Sequence, residues 1–524
     1  MTTEQYANPR EGGRGRHLTA RAASGVLAAA LVLGVGELMS VPVGGASSPF
    51  FAVGGTTVDR SPAWAREFAI GTFGTNDKPA LFIGMSILIV VFAAIAGIVE
   101  QRRRPYGSAI LVGLGAVGVY AAVTRPDATA AYAVPTIVGV LAGVVALRLL
   151  TAQLWEPETG EPREQSGFSR RTFLGLAATT AAVAAAAGVA GRQLAERVAG
   201  AVRNRSAFTV PAVAAADKAP AIAAGTDIAV PGATPFLTTN DEFYRIDTAL
   251  QVPMLTTDDW RLRIHGMVDR ELTLTWDDLM SRTPIERTIT LTCVSNEVGG
   301  DLAGNATWIG YPIKDLLDEV GVSPDADMLL SGSHDGFTAG TPVEVLRDGR
   351  DAILAVAMNG RPLPFDHGYP VRQVVPGLYG YVSATKWVVD WELTRFDRAQ
   401  AYWTRRGWAE LGPIKTASRI DVPAAFARLD AGPVLVAGTA WAQHRGIEKV
   451  EVRVDGGSWQ TATLAPQYTV DTWRQWTWQW EATPGAHTLQ VRATDLDGVT
   501  QTEVRSGPVP DGATGWHTLS VTVS

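Results

Sequence analysis

The sequence predicts three structural classes in succession: an all-α membrane domain, an α+β domain and an all-β sandwich. The first 200 residues contain long apolar runs flanked by arginines, whereas residues 236 to 398 mix short β-rich and helical stretches without a regular repeat. After that, strands alternate at period two between turns. The whole chain is 46% hydrophobic with a formal charge of −7, and no basic stripe with interleaved aromatics is present, so nucleic acid is not an expected partner.

Residues 1–200 are predicted to form a membrane domain of five transmembrane helices. A bilayer core of about 30 Å needs ~20 apolar residues in helical form, and five runs are of about that length. These predicted spans are residues 22–41, 80–99, 106–123, 128–147 and 172–191.

Arginines in the short loops predict how these helices are oriented. Arg102, Arg103 and Arg104 follow the second span, and Arg170 and Arg171 precede the fifth, on the same side as the arginine-rich N-terminus. Because such residues mark the cytoplasmic side, the N-terminus is expected inside the cell and the catalytic half outside, at the cell membrane. None of the seven histidines lies in a span, so no haem held by two histidines is expected in this chain.

The fifth span opens with Ser169-Arg170-Arg171-Thr172-Phe173-Leu174-Gly175, which resembles a twin-arginine export signal. A last span preceded by cytoplasmic arginines has the same appearance, so both interpretations stay open, as does the choice between a cleaved signal and a retained anchor. Residues 201–235 are rich in Ala, Pro and Thr without periodicity, and they are predicted to be a linker.

Two soluble domains follow. Residues 236–398 are predicted to be the α+β domain, with strands such as 286–293 and helices such as 313–320. Residues 399–524 contain strands separated by Gly-rich turns, which predicts an immunoglobulin-like sandwich.

Cys293, the only cysteine, lies at the end of a β-branched run and just before the Gly299-Gly300 turn. A thiolate at a strand end can bind a soft metal, and the lack of a second cysteine argues against a disulfide or a zinc site with several thiolates. A buried free thiol is the alternative for a lone cysteine.

A second segment, residues 355–387, combines His367, Arg372 and Lys386 with many glycines and prolines. Arginine and lysine supply positive charge, and glycines let backbone N–H groups approach a ligand, so this set suits a phosphate-bearing anion. A structural loop with surface charges is the alternative.

Taken together, these motifs resemble the sulfite oxidase family of molybdopterin oxidoreductases, in a membrane-anchored actinobacterial-type branch. The resemblance covers about residues 236 to 396 in the same order. The motifs are Cys293 with Asn296, Ala306-Thr307-Trp308-Ile309-Gly310, Met358-Asn-Gly-x-Pro-Leu-Pro, His367-Gly-x-Pro-x-Arg372, Val375-Pro-Gly377 and Lys386-Trp387.

The resemblance implies a molybdenum–molybdopterin cofactor and a role for each matching residue. Cys293 would be the thiolate on molybdenum, Asn296 would support its loop, Trp308 would line the substrate entrance, and Phe337 would stand where the family has an active-site tyrosine. The cofactor would be bound by Tyr244 and Arg245, by His367 and Arg372, and by the loop from Tyr379 to Lys386, which includes Ser383 and Lys386. The C-terminal sandwich would resemble the family's dimerisation domain and so implies a homodimer.

Departures from the family pattern concern the substrate. Asn296 is followed by Glu297 and Val298 where sulfite oxidases have two arginines, and Asp247-Thr248 replaces an Asn-His pair. An acid near a bound dianion is unfavourable by Coulomb repulsion, so a small neutral or cationic substrate of oxygen-atom transfer is expected rather than sulfite.

The leading hypothesis is therefore a membrane-anchored molybdenum oxidoreductase, and the alternative is an exported binding or structural protein with a degenerate cofactor pocket. An oxidoreductase without its own haem needs an electron partner, a quinone or a separate cytochrome. The sequence leaves the substrate and the direction of electron flow open.

Overall fold

A computed structural model describes residues 9–40, 47–62, 77–125, 128–152, 197–249 and 251–524, together with a few isolated residues between 43 and 73. The chain forms two compact units, residues 1–198 and 199–524. The predicted fifth span, residues 172–191, and the twin-arginine-like segment lie outside the described residues.

The first unit is helical. Its described helices are Pro9–Ser40 (α1), Pro49–Arg60 (α2), Asp77–Val99 (α3), Tyr106–Val123 (α4) and Val134–Ala152 (α5). Within the described part of the chain, four stretches are long and apolar enough to cross a membrane: Leu18–Ser40, Lys78–Val99, Tyr106–Val123 and Ala130–Ala152. They correspond to the first four predicted spans, and the protein is a membrane protein by this criterion.

Glycines let these helices approach at backbone distance. A Cβ on Gly25 of α1 would lie 1.9 Å from the carbonyl oxygen of Ala93 of α3, and one on Gly97 would lie 2.0 Å from that of Arg21. Small residues at such contacts allow close van der Waals packing between membrane helices.

The second unit begins with helical residues 199–207 and continues into two β-sheets with short helices. Its strands are Arg261–Gly266 (β1), Leu272–Thr275 (β2), Ile285–Thr292 (β3), Ala303–Pro312 (β4), Met328–Ser333 (β5), Thr338–Pro342 (β6), Ile353–Met358 (β7), Arg361–Pro362 (β8), Arg372–Val374 (β9) and Val388–Thr394 (β10). Its helices are Trp276–Met280 (α6), Ile313–Val320 (α7) and Gly380–Ser383 (α8).

These strands form two sheets rather than a regular βαβ array. One has the order β2-β1-β10-β5-β6, and the other has the order β3-β4-β7-β8 with β9 paired to β7. Every residue of β7 is buried, and β3 is buried over its last five residues. Strands covered on both faces read as continuous apolar runs, which is why the Thr288–Leu291 run marked β3 in the sequence.

The C-terminal part is a two-sheet sandwich, as predicted. Its strands are Ala417–Val422 (β11), Arg428–Leu429 (β12), Gly432–Trp441 (β13), Ile447–Val454 (β14), Gln460–Thr461 (β15), Thr463–Leu464 (β16), Arg474–Ala482 (β17), Gly485–Asp495 (β18) and His517–Val523 (β19). The sheets have the orders β11-β13-β17-β16 and β12-β19-β18-β14-β15. The apolar side chains facing inward from both sheets form one core that includes Trp476 and Leu489.

The segment expected to be a linker, 201–235, packs against both soluble parts. Arg205 donates from Nε to the carbonyl oxygen of Leu363 at 2.6 Å. The backbone N–H of Ile228 donates to Gln475 Oε1 at 2.9 Å. This segment is therefore fixed by hydrogen bonds although its composition has no periodicity, and the domain boundaries themselves stay predictions.

Candidate active site

One cavity, here called the central cavity, brings together side chains that are far apart in the sequence. Six residues named as candidates in the sequence line it: Tyr244, Cys293, Phe337, His367, Arg372 and Lys386. Tyr244 precedes β1, Cys293 follows β3, and Phe337 lies between β5 and β6. His367 and Arg372 lie before and at the start of β9, and Lys386 follows α8. The sequence indicated the residues but not their convergence, which depends on the sheet order.

Cys293 follows β3 directly, and its thiol faces the central cavity although only 8% of the residue is exposed. Its backbone N–H donates to the carbonyl oxygen of Leu302 at 2.9 Å, which closes the following turn into a compact loop. Burial raises the pKa of the Cys293 thiol, and hydrogen bonds from the backbone and side chain of Ser295 act in the opposite direction. A thiolate here needs a cationic partner, such as a soft metal ion, to offset its desolvation.

Asn296 lies on the other side of this loop, not in the central cavity. Its Oδ1 accepts from the backbone N–H of Leu302 at 2.8 Å, so the side chain ties the two ends of the loop together. It lines a second cavity with Glu297 and Val298, and that cavity shares no lining residue with the first. Glu297 therefore does not line the central cavity, so a substrate there would not contact the acid on which the expectation of Coulomb repulsion was based.

Two buried cations lie in the central cavity. Arg372 is 5% exposed, donates from Nη1 to the carbonyl oxygen of His367 at 3.2 Å, and keeps a buried Nε with no hydrogen-bond partner. Lys386 is 9% exposed and donates to Asp247 and to the carbonyl oxygen of Asp366, each at 2.9 Å. Burial lowers the pKa of Arg372 to about 10. Burial also lowers the pKa of Lys386, to about 8, and the negative charge of Asp247 partly counteracts this shift. An anion in this cavity would remove the cost of keeping both charges buried.

His367 contributes a neutral imidazole rather than a third charge. Burial, together with the positive charge of Arg372, lowers its pKa to about 3. Its Nε2 lies 3.2 Å from the carbonyl oxygen of Asn240, which fixes Nε2 as the donor in the neutral ring. Phe243 meets the imidazole edge to face, with ring centroids 5.6 Å apart.

Three other predicted site residues have different surroundings. Tyr244 lines the cavity half-buried, and burial raises its pKa far above the usual range. Arg245 is exposed and pairs with Asp247 at 2.9 Å instead of lining the cavity. Ser383 is fully buried and donates to the carbonyl oxygen of Tyr379 at 2.9 Å, so it holds α8.

Trp308 is not at a substrate entrance, where the sequence analysis expected it. It is fully buried in the core formed by β3, β4 and β7, and its Nε1 donates to the carbonyl oxygen of Ile289 at 3.2 Å. The guanidinium carbon of Arg372 lies 5.0 Å from its ring centroid. Trp308 therefore stabilises the guanidinium of Arg372 through a cation–π contact.

Several residues that line the cavity were not among the predicted site residues. Asp247 and Asp335 supply carboxylates, while Trp403 and Trp408 supply two large aromatic rings. The two tryptophans lie after residue 398, where the α+β domain was expected to end, so they were assigned to the sandwich. Their spacing of five residues in a charged, turn-rich stretch gave no local signal of a pocket.

The donor set fits an anionic ligand that brings a metal with most of its own ligands. Among the described residues, no group of three or more His, Cys, Asp or Glu side chains could hold a metal ion. A single cysteine can complete a coordination shell only if the other donors belong to a cofactor. The orphaned Nε of Arg372 and the buried ammonium of Lys386 provide for the negative charge of such a group.

Comparisons with known proteins agree with this chemistry. Residues 249–403 match the oxidoreductase molybdopterin binding domain, and residues 418–491 match a bacterial Ig domain. The chain is 30% identical over 149 residues to the uncharacterised oxidoreductase YuiH of Bacillus subtilis, which covers 28% of this chain and 72% of that protein. It is 29% identical over 292 residues to the mitochondrial sulfite oxidase of Rattus norvegicus, covering 47% of this chain and 53% of the relative.

The chain thus spans about half the length of the curated sulfite oxidases that it matches. Among solved structures, the sulfane dehydrogenase SoxCD from Paracoccus pantotrophus is 25% identical with a TM-score of 0.49, covering 55% of this chain and 82% of that one. The match to the molybdopterin binding domain ends at Trp403, so the first of the two unassigned tryptophans belongs to the matched region.

Proposed function

Because this chain belongs to the sulfite-oxidase-type family of molybdopterin oxidoreductases, we propose that it is a membrane-anchored enzyme that transfers oxygen atoms at a molybdenum centre ligated by Cys293. The convergence of Cys293, Arg372 and Lys386 on one cavity carries this proposal. Among the described residues, the buried thiol has no cationic partner and the buried Nε of Arg372 has no acceptor, and an anionic, metal-bearing group between them would supply both.

The proposed roles follow the donor types. Arg372 and Lys386 would hold the phosphate and polar edge of the pterin, His367 would line this part of the cavity with a neutral imidazole, and Cys293 would supply the protein thiolate to molybdenum. When bound, this cofactor supplies the two-electron chemistry of oxygen-atom transfer, and the protein supplies binding and orientation. Ser295 donates two hydrogen bonds to the sulfur, which favours the thiolate over the thiol.

Sulfite is not the proposed substrate. The central cavity has two cations, Arg372 and Lys386, and both are used by the cofactor in this proposal. The carboxylate of Asp335 is then left to face the substrate, and an acid repels a dianion. Phe337 offers no hydroxyl donor to an oxyanion, so a neutral or cationic oxygen donor or acceptor fits the cavity better.

The cellular setting is part of the proposal. Loop arginines support a cytoplasmic N-terminus and an extracytoplasmic catalytic half, and the motif at residues 169–175 would allow export with the cofactor already bound. Electrons would pass to or from a quinone or a separate cytochrome. A homodimer through the C-terminal sandwich completes the proposal.

The test is to produce the full chain in a host that makes molybdopterin and to purify it in a maltoside detergent. We expect molybdenum and pterin in close to one-to-one ratio with the chain, and activity on sulfoxides or N-oxides that exceeds activity on sulfite. Cys293→Ser should lower the activity by at least about 100-fold, since the group that tunes the metal is replaced. Protein without molybdenum and pterin would refute the proposal and favour a binding protein with a degenerate pocket.

A further inference from the structure

The outward part of the central cavity differs in chemistry from its cationic interior. Phe337, Trp403 and Trp408 line it and are only half-buried, whereas Arg372 and Lys386 are almost completely buried. The rings of Trp403 and Trp408 meet nearly edge to face, with centroids 6.1 Å apart at an interplanar angle of 75°. We call Asp335, Phe337, Trp403 and Trp408 the aromatic subsite.

The aromatic rings belong to a continuous cluster that already accommodates one cation. Tyr402 lies behind the lining, with its ring centroid 5.8 Å from that of Phe337 and 5.2 Å from that of Trp403. The guanidinium carbon of Arg406 lies 3.5 Å from the centroid of Tyr402. The faces of such rings carry negative electrostatic potential, which attracts cations.

Asp335 supplies the formal charge of this subsite. Its Oδ1 accepts from Ser333 Oγ at 2.5 Å and from the backbone N–H of Phe337 at 3.3 Å, and its Oδ2 accepts from Thr248 Oγ1 at 3.2 Å. All three donors are neutral, and within the described part of the chain no Arg, Lys or His forms an ion pair with this carboxylate. The other lining carboxylate, Asp247, is different because it pairs with Lys386 and Arg245 at 2.9 Å.

A carboxylate without a basic partner beside aromatic faces matches one ligand class. Anions are repelled by Asp335, and a neutral apolar group would leave its charge uncompensated as water is displaced. An alkylated ammonium or sulfonium group meets both features, since its positive charge pairs with the carboxylate and its methyl groups contact the rings.

We propose that the aromatic subsite binds an organic cation, a methylated ammonium or sulfonium group, as the recognition element of the substrate. This inference rests on the proposed function in that the cation would be held next to the group bound by Cys293. It deepens that function by naming the substrate class, and its binding part can be measured without turnover.

The test uses choline and its uncharged isostere 3,3-dimethylbutan-1-ol as probes. The full, cofactor-loaded chain in maltoside detergent, which carries no ammonium group, is titrated with each probe by calorimetry and by tryptophan fluorescence. We expect choline to bind at least about tenfold more tightly than the isostere, because the two differ in charge and not in shape.

Three variants identify the site. Asp335→Asn keeps acceptors for Ser333 and Phe337 and should weaken choline about tenfold while leaving the isostere unchanged. Trp408→Leu should weaken choline by a similar factor through loss of a ring face. Asp497→Asn, which removes an exposed carboxylate in the sandwich, should change neither affinity.

Each outcome bears on the inference. Equal affinities for the two probes, no choline binding, or an Asp335→Asn variant that binds choline like the native protein while keeping its melting temperature would overturn it. If the protein contains molybdenum but does not bind choline, the inference about the aromatic subsite is refuted and the proposed function is not. Choline binding to protein that never contains molybdenum or pterin would refute the proposed function alone.

Discussion

Arg372 and His367 lie next to each other in the central cavity, yet they respond to burial in opposite ways. The guanidinium keeps its charge because its pKa, lowered to about 10, is still far above neutral pH. The imidazole loses its charge because its pKa is lowered to about 3. The interior of the cavity therefore presents two positive charges and one neutral imidazole at neutral pH.

The lowered pKa of His367 predicts a loss of stability in acid. Between pH 6.5 and about 3 the unfolded chain binds a proton at this residue and the folded chain does not, so stability falls as pH falls, by about 1.4 kcal/mol per pH unit. In the cofactor-free protein, His367→Gln should flatten the decline of the thermal midpoint between pH 6.5 and 4.5. An unchanged slope would contradict a neutral, buried imidazole.

His487 provides the control for this experiment because its pKa is raised, whereas that of His367 is lowered. Its hydrogen bond with Asp455 raises its pKa, so its contribution is fully present below pH 6.5 and is lost as pH rises through the folded-state pKa. His487→Gln should therefore lower the midpoint by a similar amount throughout pH 4.5 to 6.5 without changing the slope, and this loss should fade as pH rises above 6.5.

At the scale of elements, the loop that presents Cys293 is held by the C-terminal sandwich. Arg419 of β11 donates from Nη1 to the carbonyl oxygen of Gly300 at 2.6 Å. The buried side chain of Gln443 donates to the carbonyl oxygen of Thr290 at 3.2 Å and to Thr292 Oγ1 at 2.9 Å. The sandwich thus supports β3 and the loop after it, whatever its part in a dimer.

Gly299 lies at a position in the loop after β3 that only glycine can occupy without a clash. Its φ is +81°, and a Cβ would lie 2.3 Å from the ring of His517 of β19. Gly299→Ala should therefore displace the loop, lower the molybdenum content and reduce the melting temperature.

Gly498→Ala is the matched control, since Gly498 has a φ of +79° with nothing within 4 Å of its Cβ position. The Gly498→Ala substitution therefore adds only the strain of a left-handed backbone, about 1–2 kcal/mol, and no steric clash. Equal effects of the two substitutions on molybdenum content would contradict a specific contact between the loop and His517.

Gln443→Leu tests the support of β3. It leaves the carbonyl of Thr290 and the hydroxyl of Thr292 without this donor, at a cost of about 1–3 kcal/mol for each buried group left unsatisfied. We expect a lower unfolding midpoint and a shifted visible absorption band of the metal centre. Gln479→Leu, at an exposed position of β17, is the control and should leave the unfolding midpoint and the absorption band unchanged. If the spectrum of Gln443→Leu is identical to that of the native protein, Gln443 does not position the metal site.

Local elements were predictable from the sequence where burial is periodic or continuous. The predicted helix at 313–320 is α7, with its buried side chains on one face and Gly321 in the left-handed conformation after its end. The convergence of Cys293 with Arg372 was predictable only through the resemblance. The burial of Trp308 beneath Arg372 and the position of Glu297 outside the central cavity were not, because both depend on pairing between strands distant in the chain.

At the scale of the whole molecule, hydropathy predicted the four helices of membrane-spanning length among the described residues, since each must satisfy its own backbone hydrogen bonds. The short helix α2 was missed because it is below the length that spans a bilayer. The boundary at residue 398 was uncertain for a physical reason: Trp403 and Trp408 have no period-two or helical pattern, so nothing local assigns them to the cavity.

The orientation predicted from the loop arginines can be tested with single cysteines in a Cys293→Ser background. Asp497→Cys should react with a membrane-impermeant thiol reagent in intact cells, whereas Gln101→Cys, in the exposed turn after α3, should react only after permeabilisation. The reverse pattern would place the catalytic unit in the cytoplasm.

The central claim, that the sulfur of Cys293 binds molybdenum, is tested most directly by X-ray absorption at the molybdenum edge. The measurement compares the full-length protein with its Cys293→Ser variant, both loaded with cofactor. The account predicts one fewer sulfur scatterer per molybdenum in the variant, with the pterin content retained through Arg372 and Lys386. The same sulfur count in both proteins would contradict it.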